Sequence, residues 1–392
     1  MSCRLPFLLM MIVTATSLAG SQPVPNVTVH EWGTFTSIAG ADGNAVEWLP
    51  LEGPTDLPSF VDRSCFTLKG SLPGTVRMET PVIYFYAPRP AIVNVSVEFR
   101  RGMVTEWFPQ AAVTPSTTTS TGLRRPGFTS TIRWTDVNVL PGSEAVLPVE
   151  RDPSHYYAAR QTDASPVQLA SEREKFLFYR GVGAFQPPIV AAVMADGQIA
   201  VRHRDGDAIG DIVLFENRGG AIAYAVRHVM TSETTVDLPA VAVDDEGAGS
   251  MTELETLLAA HGLYPAEARA MIDTWRDSWS EEGMRLFYLV DRKAIDSTLP
   301  LAVNPAPQHI ERVFVGRIEL VNRETIDAVQ NALIKKDRAT LTKFRRFLQP
   351  IVGRIVEQST PADRVRLQEL LGSVNRVWSD DRASRFPRCT QT

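Results

Sequence analysis

The residues best suited to chemistry in this sequence begin with the string HEWGTFT, which starts at His30. An imidazole next to a carboxylate could bind a metal ion or transfer protons. A helical zinc site would need a second histidine four residues later, where this chain has Thr34. The preceding residues Val27 to Val29 favour a strand, in which neighbouring side chains point to opposite faces. His30 and Glu31 therefore could not chelate one ion without a bulge.

On a strand, His30 and Trp32 would share one face as a small polar and aromatic patch. That patch could bind a ligand, or its imidazole and indole could be satisfied within the sheet. Further along the chain, imidazole, phenol and guanidinium groups suit a carboxylate or sugar ligand, although they could equally form a packing corner between two domains. The candidate binding patch comprises His30, Glu31, Trp32, His155, Tyr156, Arg160 and Arg180.

A second motif resembles the calcium-binding loop of an EF-hand. Its carboxylates are Asp205, Asp207, Asp211 and Glu216. Gly210 occupies the place of the sharp-turn glycine, but Ile209 stands where an oxygen ligand is needed. The flanking residues favour strands rather than two helices. We therefore expect a hairpin turn with acidic residues and no metal site.

The first 21 residues are typical of a cleavable signal peptide. Arg4 supplies a positive charge, Leu5 to Leu18 an apolar segment too short to span a bilayer, and Ala19 to Ser21 small residues for cleavage. No later apolar run is long enough for a membrane helix. We expect an exported protein, periplasmic or extracellular, with no membrane span, no nucleic-acid partner and no cofactor.

Export also affects the three cysteines, because Cys3 would be removed with the signal peptide. Cys65 and Cys389 would then meet an oxidising compartment, where they could form a disulfide or remain separate thiols. Two cysteines cannot build a zinc cage. The sequence also lacks a Gly-x-Ser-x-Gly string, a Cys-x-x-Cys pair and a Walker loop, so it contains no recognisable catalytic motif.

The elements that must position these residues are mostly strands, and we expect an α+β, β-rich fold. Residues 22–150 are predicted to form one antiparallel β-sandwich-like domain and residues 166–320 a second. A helical hairpin at about 250–282 would be inserted in the second domain, with Trp275 and Trp279 on one apolar stripe. Residues 321–392 are predicted to form a helical tail.

The tail is basic. Residues 323–392 carry 14 Lys and Arg against 8 Asp and Glu, whereas the whole chain has a net charge of −5. Such a tail could meet an anionic envelope polymer, dock on the acidic remainder of the chain, or simply be solvated.

Five strings in this chain resemble a group of uncharacterised secreted bacterial proteins. They are HEWGTFTS from His30, ETPVIYFYAP from Glu79, HYYAAR from His155, EKFLFYRGVG from Glu174 and RVFVGRIEL from Arg312. The resemblance spans most of residues 28–320. It implies a bacterial, exported origin and carries over no activity and no site residue.

These observations lead to two functional hypotheses. The first is an exported envelope or extracellular binding or structural protein, whose ligand is a glycan or another envelope protein. The alternative is a secreted hydrolase, metal-assisted or glycosidic, with its site between the two β domains. The hydrolase would be favoured if the residues of the candidate patch line one concave pocket.

Overall fold

The computed structural model of the protein describes residues 26–52, 57–64, 72–238, 248–361 and 363–372. Its largest element is a nine-stranded sheet. In spatial order its strands are β14 (Ala221–Val229), β13 (Gly210–Arg218), β16 (Gly283–Val290), β18 (His309–Leu320), β1 (Thr28–Ile38), β3 (Val76–Tyr86), β10 (Leu177–Gly183), β5 (Gly102–Phe108) and β2 (Asp62–Arg63).

Two smaller sheets accompany it. One contains β17 (Leu301–Asn304), β4 (Ala91–Arg100), β7 (Thr129–Val139), β8 (Val167–Leu169) and β9 (Glu172–Glu174), with β6 (Ala112–Thr114) also paired to β7. The other contains β11 (Ile189–Val193), β12 (Ile199–His203) and β15 (Glu233–Val236). Alternating residues of β4 are buried, as expected for a strand with one face against a core.

The helices of the described residues lie between strands or after the last strand. They are α1 (Ser120–Leu123), α2 (Ala248–Ala260), α3 (Pro265–Trp279), α4 (Arg292–Thr298), α5 (Arg323–Lys335), α6 (Arg338–Lys343) and α7 (Leu348–Gln358). Short 3₁₀ helices occupy Pro50–Glu52, His155–Arg160 and Arg345–Phe347. None of the helices in the described part of the chain is both long and apolar enough to cross a membrane.

The central sheet is covered on both faces. One face packs against the two smaller sheets through a core of mostly aliphatic side chains. The other face packs under the hairpin of α2 and α3, where Trp275 and Trp279 are buried together with Trp32. Helices α5 to α7 bury a third cluster against Ile38 and Trp48. The β-rich α+β class, the helical hairpin and the apolar stripe of α3 are confirmed.

The strands of the central sheet come from both sides of the predicted boundary at residues 150–166. The two predicted β domains therefore share one sheet. Its pairing is antiparallel except at the centre, where β1 lies parallel to β18 with Thr28 opposite His309. A local sequence pattern cannot reveal this pairing, because it joins segments almost 300 residues apart.

The pairing register is irregular at the same height in three neighbouring strands of this sheet, β1, β3 and β10. The register shifts around Gly33 in β1 and beside Arg180 in β10. Between them Thr80 of β3 has a φ of 46°, which is unusual for a β-branched residue. A side chain at Gly33 would lie 2.8 Å from the ring of Phe314, so the bulge needs glycine there. Bulges of this kind redirect side chains and are common beside functional sites.

The acidic turn that resembles a calcium loop is built differently. Asp205 and Asp207 lie in the turn after β12, but Asp211 and Glu216 belong to β13. An extended strand holds those two carboxylates far apart and on opposite faces. Asp211 is paired with His228, and Glu216 with Arg218 and Asn322. The second half of the motif is therefore a strand whose two carboxylates have protein partners.

The 3₁₀ helix His155–Arg160 begins after Ser154, whose hydroxyl accepts a hydrogen bond from the Tyr156 N–H. The proposed bridge between Cys65 and Cys389 lies outside the described residues.

Candidate functional site

The imidazole of His30 is satisfied inside the fold. His30 is 2% exposed, and its Nδ1 lies 2.8 Å from Glu267 Oε2 of α3. The Tyr86 hydroxyl donates to the other oxygen of Glu267 at 2.8 Å. The rings of Tyr86 and Tyr264 lie 5.3 and 4.4 Å from the imidazole. His30 therefore fastens α3 to the start of β1 and holds Tyr86 in place.

Glu31 points to the opposite face of the sheet. Its two oxygens accept hydrogen bonds of 2.5 Å from the Tyr179 hydroxyl and from Arg312 Nε. Both Glu31 and Arg312 are fully buried. Burial, reinforced by the Glu31 carboxylate, raises the pKa of Tyr179 well above its ordinary value. Glu31 and His30 thus belong to different environments and cannot act on one ligand.

The string around His155 forms another buried arrangement. Arg160 donates to both oxygens of Glu174, at 2.9 and 2.6 Å, and the Tyr156 hydroxyl donates to Glu174 at 3.0 Å. His155 is the exposed member and lies 3.4 Å from Asp277 of α3. Glu174, which the sequence did not single out as a site residue, is the centre of this arrangement.

Arg180 lies at the bulged level of the sheet. Its Nη2 donates to the Thr80 hydroxyl at 3.1 Å, and its guanidinium lies 5.8 Å from the Trp275 ring. The structure thus divides the seven candidate residues among separate packing arrangements on both faces of the sheet. They do not line one concave pocket, so the observation that would have favoured the hydrolase is missing from the described residues.

A larger set of buried charges lies where the C-terminal helices meet the central sheet. We call five of these side chains the buried ion cluster: Glu79, Arg285, Arg317, Glu319 and Arg346. Arg317 Nε lies 2.6 Å and Arg285 Nε 3.1 Å from the same oxygen of Glu319. Arg346 pairs with Glu79.

The hydroxyl of Ser278, near the end of α3, joins this cluster. It accepts hydrogen bonds from Arg317 Nη1 at 2.8 Å and from Arg346 Nη1 at 3.0 Å. Burial would raise the pKa of Glu79, but Arg346 and Arg317 outweigh it, so the pKa lies below its ordinary value. Burial lowers the pKa of Arg285 to about 10. The cluster connects the central sheet to α3 and to the C-terminal segment, and its guanidinium groups are paired with its carboxylates.

An open depression of about 630 Å³ lies at the other end of β1 and β3. Its volume falls within the range of roughly 300–1,000 Å³ typical of ligand sites. It is lined by Asn26, Thr28, Tyr86, Ala87, Pro88, Pro141, Gly142, Ser143, Thr162, Asp163, Ala164, Ser165, Pro166 and Lys175. Most of these residues carry a hydroxyl, amide, carboxylate or ammonium group, or expose backbone in a loop.

Lys175 and Tyr86 are the best-positioned groups in the depression. Lys175 Nζ donates to the carbonyl oxygens of Thr162 at 3.2 Å and Ala164 at 2.9 Å. An ammonium group has three donors, so one N–H can serve a ligand. Burial lowers the pKa of Lys175, and nearby Asp163 opposes that effect. Tyr86 is fixed from behind by His30 and Glu267.

Sequence reasoning missed the depression because its lining comes from five separate segments, mostly loops. A signal was nevertheless present. Pro88, Pro141 and Pro166 mark the segments between strands, and loops held by a sheet often carry binding residues. The depression also adjoins two of the noted strings, since Tyr86 contacts His30 and Thr162 follows the 3₁₀ helix that ends at Arg160.

Within the described residues, no group of three or more His, Cys, Asp and Glu side chains is arranged to hold a metal ion. Comparison with known proteins adds no assignment, because no family model and no curated protein matches the chain.

Proposed function

We propose that this protein is an exported binding protein that takes a glycan in the depression between β1, β3 and the loops around Ser143 and Asp163. The observation that carries the proposal is the shape and lining of that depression. It is open and concave, and it presents hydroxyl, carboxylate and ammonium groups beside an aromatic ring. A concave site of this volume suits a sugar better than the flat, larger contact area of a partner protein.

The chemistry of the lining matches that of a sugar. A carboxylate such as Asp163 accepts hydrogen bonds from sugar hydroxyls, and the remaining N–H of Lys175 donates to a ring or hydroxyl oxygen. Tyr86 offers an apolar ring whose hydroxyl is already bonded to Glu267. Pre-positioned groups limit the entropy lost on binding.

The lining supports binding rather than cleavage. Glycosidases generally place two carboxyl groups on either side of the scissile bond. Among the residues that the structure describes around the depression, one carboxyl group, that of Asp163, is present. The hydrolase alternative therefore gains no support from this site.

A glycan array followed by calorimetry with the best oligosaccharide tests the proposal. We expect Lys175→Met and Asp163→Asn each to weaken binding about tenfold or more, because each removes a charge-assisted hydrogen bond. Lys293→Met, on an exposed lysine of α4, is the matched control and should bind like the wild type. An array without hits, or equal loss in the control, would refute the glycan site.

Export rests on the N-terminal sequence, in which Arg4 precedes an apolar segment and small residues. Residues 1–25 fused to a reporter enzyme that is active only outside the cytoplasm should produce activity in a bacterial host. A fusion that lacks residues 5–18 should not. Equal activity of the two fusions, or an uncleaved N-terminus in the exported product, would contradict a cleavable signal peptide.

A further inference from the structure

A histidine and a methionine come into contact at the edge of the central sheet, far along the chain from the depression residues. His228 lies in β14 and Met230 just after it. His228 Nε2 is 3.1 Å from Met230 Sδ, and its Nδ1 is 2.6 Å from Asp211 Oδ1 on the neighbouring strand. The histidine side chain is 61% exposed and Met230 is 76% exposed. A methionine this exposed contributes little to a core.

The contact has a chemical consequence. When Asp211 accepts the proton of Nδ1, the neutral imidazole carries its lone pair on Nε2. A thioether sulfur has no hydrogen to donate. The 3.1 Å separation then brings two electron-pair donors together, an arrangement that a cation bound to both would stabilise.

The separation is also close to that of two ligands of one ion. With a metal–nitrogen distance of about 2.0 Å and a metal–sulfur distance of about 2.3 Å, two donors at the tetrahedral angle lie about 3.5 Å apart. A small rotation of the exposed Met230 side chain provides that separation. Imidazole and thioether are borderline and soft donors, which select Cu(I) over calcium, magnesium or manganese.

The carboxylate completes the arrangement. Metal-bound histidines commonly donate their other N–H to a carboxylate, which orients the ring and raises its basicity. Asp211 is directly opposite His228 in the β13–β14 ladder, and its second oxygen lies 3.4 Å from His261 Nε2. It is therefore held in place from two sides.

We propose that His228 and Met230 bind a soft monovalent cation, with Cu(I) as the biological ion and Ag(I) as its analogue, and that Asp211 is the positioning residue. The site is exposed, so the ion can exchange readily with solvent and other carriers. This proposal is independent of the glycan site, and either can fail without the other.

Competition against a coloured Cu(I) chelator under anaerobic conditions tests the site in the full chain. All proteins carry Cys3→Ser, Cys65→Ser and Cys389→Ser, so that thiols cannot supply ligands. We expect one equivalent of Cu(I), and we expect Met230→Leu and His228→Gln each to weaken binding about tenfold or more. Asp211→Asn should weaken it about 10–100-fold. Met194→Leu replaces another exposed methionine and should leave affinity unchanged.

X-ray absorption of the Cu(I) complex gives a second readout. A sulfur shell at about 2.3 Å is expected in the parent protein and should vanish in Met230→Leu. The proposal is overturned if the parent binds no Cu(I), if the sulfur shell survives in Met230→Leu, or if Met194→Leu loses as much affinity as Met230→Leu.

Discussion

The buried ion cluster and the depression are both polar regions of the same central sheet, at opposite ends of β1 and β3. In the cluster, each carboxylate faces a guanidinium and nearly all side chains are buried. In the depression, Lys175 and Asp163 line an open concave surface. The cluster has the greater density of charge, but its groups bind one another. A high density of charge therefore belongs here to contacts within the protein, whereas the polar groups of the depression line a surface open to solvent.

The two regions also differ in what they connect. The cluster joins strands to α3 through Ser278 and to the C-terminal segment through Arg346. Lys343 likewise lies 3.5 Å from Glu282. The described part of the basic tail therefore docks on the acidic remainder of the chain, one of the three roles considered for it. The depression joins loops to the ends of β1 and β3. Its two charged residues, Asp163 and Lys175, lie in the loops, so we expect changes at those two positions to have little effect on the rest of the fold.

The largest expected effect is in the ion cluster. Glu79→Gln removes the carboxylate that faces Arg346 and leaves buried positive charge uncompensated. We expect a loss of about 3–5 kcal/mol in the free energy of unfolding, measured by urea denaturation. Asp327→Asn breaks an exposed pair with Arg323 and should cost about 0.5 kcal/mol or less. A cost of under about 1 kcal/mol for Glu79→Gln would mean that the cluster does not fasten the fold.

Acid should weaken the same region. The pKa of Glu79 is lower in the folded protein than its ordinary value of 4.5, so the unfolded chain binds the proton more readily. Its contribution is fully present above that value and is lost as pH falls through the folded pKa. Urea midpoints between pH 7 and pH 3 should therefore decline more steeply for the wild type than for Glu79→Gln. Parallel curves would contradict this role.

An intermediate effect is expected behind the depression, where His30 contacts Tyr86. His30→Ala leaves the buried Glu267 without its imidazole partner and removes a support of Tyr86. We expect a loss of about 1–3 kcal/mol in the free energy of unfolding. His155→Ala, at an exposed histidine, is the control and should change stability by about 0.5 kcal/mol or less. Equal losses in the free energy of unfolding for the two variants would show that His30 stabilises the fold no more than an exposed histidine does.

The smallest effect on stability is expected in the depression. Lys175→Met keeps the apolar stem of the side chain and removes an ammonium that is partly exposed. We expect the free energy of unfolding to change by about 1 kcal/mol or less, in contrast to its effect on glycan binding. If Lys175→Met lowers the free energy of unfolding as much as Glu79→Gln does, Lys175 stabilises the fold rather than serving a binding surface.

The sequence by itself determined the local elements of this protein. The alternation in β4 predicts a strand, and the apolar stripe of α3 and the turn after α2 predict a helical hairpin. These patterns are local, because periodicity depends on near neighbours along the chain. The same alternation separated His30 from Glu31, and the two side chains do point to opposite faces.

Only the tertiary structure decided which elements meet. The parallel pairing of β1 with β18, the contact of Glu79 with Arg346 and the five-segment lining of the depression each join distant parts of the chain. A periodic pattern reports which face of an element is apolar and carries no information about its partner. For that reason the sequence identified HEWGTFT as unusual, whereas the structure showed that its histidine holds α3 and Tyr86 in place through Glu267.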